Sequence, residues 1–124
     1  MLLLCFSNCL SQTNNIVGKW KNPNNNFISN IEFKSDNTAI LTDLSNLVST
    51  IFELKIDYEK KPIWVDLQIK KNGAISEVFG LVEIISPKVI KLELFLNHQG
   101  VHPKNFIINN NDDSIMTFIL NKIE

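Results

Sequence analysis

The side chains able to do chemistry are few and scattered. Two histidines lie close together in His98-Gln99-Gly100-Val101-His102, with Asp112 and Asp113 beyond them. On a helix that spacing would suit a metal ion. Gly100 and Pro103 argue for a loop instead, so we read two loop histidines and expect no metal site. Asp57 and Asp66 are the candidate carboxylate pair for acid–base work. Both fall on strand faces that should be solvated. No Ser sits in a Gly-x-Ser-x-Gly elbow, and there is no phosphate loop or dinucleotide fingerprint. Cys5 and Cys9 both precede the first strand-like segment, so the domain beyond them has no thiol for zinc or for nucleophilic attack. We therefore expect no catalytic residues, no cofactor and no enzymatic activity.

Composition narrows the partners. The chain has 124 residues, one domain's worth, with 44% hydrophobic and 20% charged residues, which excludes a disordered tail or a membrane bundle. Twelve basic residues face thirteen acidic ones, for a net charge of -1, and every basic residue is Lys. Without Arg there is no guanidinium fork to clamp phosphate or carboxylate. A nucleic-acid partner is disfavoured on both counts. The aromatic residues read as core rather than as a base-stacking platform. Lys60-Lys61 and Lys70-Lys71 make two small basic tips, read as solvated turns.

The elements that must position these residues are strands. Residues 48–59 alternate cleanly: Val48, Thr50, Phe52, Leu54, Ile56 and Tyr58 share one face, and five of the six positions on the other are polar. That is the signature of a half-buried antiparallel strand. Residues 63–70 repeat it, with Ile63, Val65, Leu67 and Ile69 inward, and Lys71-Asn72-Gly73 turns the chain into a hairpin. Residues 74–85 are apolar on both faces around Gly80, where we expect a bulge or bend. Residues 89–96 send Ile90, Leu92 and Leu94 inward, with Phe95 or Leu96 closing the run and Lys91 and Glu93 outward. Shorter strands are read at 16–21, 28–34, 38–42, 104–108 and 115–122, and the best helical candidate, 43–49, is short. About eight strands at this spacing predict an all-β barrel or sandwich, and we expect the antiparallel up-and-down β-barrel, since closing the meander leaves no exposed edges.

The chain opens Met1-Leu2-Leu3-Leu4-Cys5-Phe6-Ser7-Asn8-Cys9 and then turns polar. A short apolar run before a polar linker resembles the end of a secretory signal peptide, and it is too short to span a bilayer. Cys9 resembles a lipoprotein attachment cysteine, with Asn8 where a smaller residue is usual; a Cys5–Cys9 disulfide is the other reading. Residues 1–15 are thus read as a signal or lipoprotein-like segment and linker, and 16–124 as the barrel domain. The expected location is the bacterial cell envelope, with the cytoplasm as the alternative.

Four phrases together resemble the lipocalins, in particular small bacterial lipocalin-like domains. They are Gly18-Lys19-Trp20, then Phe33-Lys34-Ser35-Asp36-Asn37-Thr38-Ala39, then Pro62-Ile63-Trp64-Val65-Asp66-Leu67, and last His102-Pro103-Lys104-Asn105-Phe106. Their order and spacing agree over most of residues 16–122. The resemblance implies a barrel closed at one end by Gly18 and Trp20, with Trp20 under a late basic residue. That residue is usually Arg; here Lys122 or another Lys must stand in. His102 likewise stands where Arg is usual, and Asn37 where Gly is usual.

The functional expectation is a non-enzymatic binding protein. A small apolar ligand would sit in a narrow barrel interior lined by Phe52, Leu54, Ile56, Tyr58, Leu92 and Leu94, with Tyr58 fixing its orientation. About 110 residues leave little room for a wide cup, so a filled barrel or a narrow slot is expected. The alternative is a protein-interaction or inhibitor barrel. It would use its outer face and the 97–105 loop, with Trp64, His98 and His102 as the candidate partner surface. Membrane contact is expected only through a lipid on Cys9.

Overall fold

The structure, a computed structural model, describes residues 15–45, 48–96, 101–107 and 114–123. Eight strands follow one another as β1 (Gly18–Lys21), β2 (Ile28–Phe33), β3 (Thr38–Asp43), β4 (Ser49–Asp57), β5 (Ile63–Lys71), β6 (Ala74–Ser86), β7 (Val89–Phe95) and β8 (Ile115–Ile123). Each pairs antiparallel with the next, and β8 returns to β1 through Lys19–Ile123, Trp20–Lys122 and Lys21–Asn121. The result is a closed antiparallel up-and-down barrel, the expected one of the two arrangements that the strand spacing allows.

Turn chemistry explains the hairpins. Asn72 and Gly73 take φ of 54° and 79°, the left-handed values that a two-residue hairpin turn requires. Asn37 takes φ 65°, which Asn tolerates in place of Gly. Beside it Thr38 Oγ1 donates to Asp36, holding that carboxyl below its ordinary range.

Alternate residues of all the strands point inward and fill the barrel. Trp20, Ile31, Phe33, Val65, Leu67, Val82, Ile90, Leu92, Phe118 and Leu120 are buried in one apolar cluster. Gly80 belongs to this inner row between Val65 and Leu94. It lies in a regular ladder, not at the bulge expected there; the registers of β6–β7 and β2–β3 shift instead between Ile84 and Ser86 and between Ile28 and Asn30. Gly is required at 80 for another reason: a Cβ there would come 2.6 Å from Val65 O.

Other expectations need correction. Residues 104–107 form no strand, and β1 begins at Gly18, not at residue 16. The helical candidate divides between the end of β3, a turn at 44–45 and the start of β4, with 46–47 outside the described residues. Strand β4 ends at Asp57, so Tyr58 falls beyond it. Phe95 points outward and is nonetheless buried, while Leu96 is exposed.

Candidate functional site

The residues expected to line an interior site divide between the packed core and the rim. Leu54, Leu92 and Leu94 are buried in the packed cluster, and Phe52 and Ile56 are partly buried against it. Tyr58 stands at the rim, 42% exposed. Its hydroxyl accepts from Ile16 N–H (3.2 Å) and donates to Asn15 Oδ1 (3.1 Å). It therefore anchors the entering chain and does not face the interior. Burial raises the phenol's pKa, partly opposed by the Ile16 hydrogen bond.

Gly18 and Trp20, expected to close one end, lie against Ile16 and Lys122. The fully buried Trp20 donates its indole N–H to Ile16 O at 2.8 Å. Lys122, its partner on β8, runs its stem past Gly18, with Cε 3.1 Å from where a Cβ would sit. Its ammonium lies 5.7 Å from the Trp20 ring centroid, within cation–π range.

The same end carries a half-open notch of about 600 Å³, where β6 runs past the start of β5. Its apolar lining is Pro62, Ile63, Val82, Ile84 and Phe106, and its polar groups are Tyr58, Lys60, Lys61 and Glu83. The two lysines, read from sequence as a solvated tip, therefore line a concavity.

On the outer wall, two cross-strand rows lie side by side. One is Trp64, Leu81, Glu93 and Thr117; the other is Asp66, Phe79, Phe95 and Ile115. The stretch 101–107 lies across them as a strap. His102 stacks on Trp64, with ring centroids 3.9 Å apart and planes at 5°, and its other neighbour is Phe79 at 4.7 Å. His102 Nε2 is 2.7 Å from Asp66 Oδ1, and Nδ1 is 2.7 Å from Pro103 O. Both partners are oxygen atoms, so both ring nitrogens are engaged. Further along the strap, Ile107 N–H donates to Glu93 Oε1 at 2.9 Å, while Thr117 Oγ1 donates to Oε2 at 2.7 Å. Phe106 sits under the Lys91 ammonium, 4.4 Å from its ring centroid.

Asp66, expected to be solvated, is thus half-buried in a hydrogen bond, and Glu93, expected to face water, is fully buried. Asp57 caps its own turn by accepting from Glu59 N–H. Trp64 and His102, expected as a partner surface, are brought together on each other. His98 and Cys9 lie outside the described residues, as do Cys5, Asp112 and Asp113. Among the described residues no cluster of three metal-ligating side chains occurs. The notch residues Lys60, Lys61, Glu83 and Phe106 were not anticipated, because notch and strap arise where one strand outruns its neighbour and a long connection folds back.

No family model, curated protein or solved structure matches the chain. The closed eight-stranded barrel is consistent with a lipocalin-like barrel.

Proposed function

We propose that the chain is a non-enzymatic, lipocalin-like binding barrel of the cell envelope, and that its small apolar ligand is held in the rim notch instead of the interior. The notch carries this reading. Its volume of about 600 Å³ falls in the range of small-molecule sites, roughly 300–1,000 Å³, and a mostly apolar lining with a few polar groups is their usual chemistry. The packing of Lys122 against Gly18 and Trp20 supports the lipocalin-like reading. An envelope location rests on the apolar start and on Cys9, and mass spectrometry of the mature N-terminus tests it; an unmodified Met1 in a soluble extract removes it.

The ligand reading is tested with the fluorescent dye anilinonaphthalene sulfonate and the full chain. Saturable binding that Ile84→Asp weakens by about tenfold supports the notch. Binding unchanged by Ile84→Asp in a folded variant places the dye elsewhere and sinks the proposal.

A further inference from the structure

The ladder between β5 and β6 stops at Ile63–Val82, whereas β7 stays paired with β6 as far as Ser86. Glu83 and Ile84 therefore have a strand partner on one side only among the described residues, and Ile85 follows at the register shift before Ser86. Their other edge faces the 58–62 loop across the notch, which Tyr58, Lys60 and Lys61 line from the loop side. Such an edge is a ready template for another extended chain.

We propose that the notch takes an extended, acidic segment of a protein partner, added as a short strand along the Glu83–Ile85 edge. Main-chain hydrogen bonds would supply affinity, and alternate side chains would choose between two environments. One set would face the apolar lining made by Ile63, Val82 and Ile84. Charge selects the partner. Lys60 and Lys61 are both exposed on the loop wall, Lys60 with its ammonium 4.9 Å from the Trp64 ring centroid, and together they outnumber Glu83, the one carboxylate among the notch residues. A basic segment would meet two ammonium groups, and an acidic one would be steered in. With no guanidinium in the chain, this attraction is of the point-charge kind and falls with salt. The inference rests on the notch being an open binding site, as in the ligand reading, and changes the class of occupant.

The test uses the full chain and a fluorescein-labelled, acetylated octapeptide of alternating Val and Glu, read by anisotropy. The comparisons are the same peptide with alternate amides N-methylated, and an alternating Val and Lys peptide. Saturable binding is expected, weaker by about tenfold or more on N-methylation and in the Lys60→Glu, Lys61→Glu double variant. Amide NMR shifts should centre on Glu83 to Ile85. Equal binding of the N-methylated or the Lys peptide overturns the proposal, as does no saturable binding. Anilinonaphthalene sulfonate in the same samples separates the two failures. Dye bound without peptide overturns the peptide inference alone, and neither bound overturns the notch as a site.

Discussion

The two faces of the β5–β7 wall are both buried, and they are built on opposite terms. The inner face is apolar throughout, with Val65, Leu67, Val82, Leu92 and Leu94 packed into one cluster. The outer face buries Leu81 and Phe95 as completely, but beside a carboxylate, a half-buried Asp and a stacked imidazole. Leu81 and Phe95 do not belong to the inner cluster. Transfer from water stabilises both faces, at about 25 cal/mol per Å² of apolar surface. The outer face also carries polar groups whose burial is tolerable only while each is hydrogen-bonded. The inner core loses stability with the volume removed from it, and the outer core loses it also whenever a polar partner is withdrawn.

The largest expected effects test whether the outer layer is a core at all. Trp20→Ala should cost about 3–5 kcal/mol, through lost burial and the cavity left behind. Phe95→Ala should cost nearly as much, since Phe95 is 1% exposed. Urea denaturation of both variants makes the comparison. A cost below about 1 kcal/mol for Phe95→Ala, the scale of a surface substitution, would reduce the strap to a surface ornament.

Next in size is Glu93. Glu93→Leu leaves Ile107 N–H and Thr117 Oγ1 without their acceptors and should cost about 1–3 kcal/mol. Glu93→Gln keeps one acceptor oxygen and should cost less. Amide exchange at Ile107 separates them: protection lost in Glu93→Leu and partly kept in Glu93→Gln marks the carboxylate as the clasp of the strap. Equal protection in both would show the strap to be held by apolar contact alone.

The inner face was legible in the sequence because its physics has period two. The alternation of Phe52, Leu54 and Ile56, and of Val65 and Leu67, needs only one buried side per strand. The outer face has no such period, and it depends on a connection that leaves β7 and crosses back to β5 before entering β8. One trace of it was present. Residues 78–82 are apolar on both faces, as a strand covered on both sides must be. That pattern was read as a bend at Gly80, whereas Phe79 and Leu81 await the strap. Trp64 was recognisable as the odd aromatic on a polar face, but its partner lies far along the chain. The approach of Lys122 to Trp20 was anticipated from the Gly18-Lys19-Trp20 phrase and the absence of Arg. The notch was illegible, since it depends on where the β5–β6 ladder stops.

A smaller effect is expected at the strap's leading end. His102→Ala removes two aromatic contacts, each worth about 0.5–1.5 kcal/mol, and frees Asp66 to be solvated. The expected loss is about 1–2 kcal/mol, less than at Glu93, because Asp66 keeps access to water and Glu93 does not. Fluorescence of Trp64, isolated in a Trp20→Phe background, should change with it. An unaltered spectrum would contradict the stack.

The smallest effect belongs to the rim, to which Tyr58 ties Asn15 and Ile16. Tyr58→Phe should cost about 0.5–1.5 kcal/mol, the net worth of a hydrogen bond, since the site is part-exposed and water can replace the hydroxyl. Its pH dependence has a definite sign. Burial raises the phenol's pKa above its unfolded value near 10, so the native state holds the proton more tightly. The stabilisation is complete below about pH 10 and is lost as pH rises through the folded-state value. The phenolate also cannot donate to Asn15 Oδ1, so the tether weakens over the same interval. Tyr58 is the chain's single tyrosine, so absorbance at alkaline pH reports it alone. A midpoint at or below that of the unfolded chain would contradict the burial. The stability gap between the native protein and Tyr58→Phe should close over the same interval; a gap that persists above it would assign the loss to packing and leave the hydroxyl without a role.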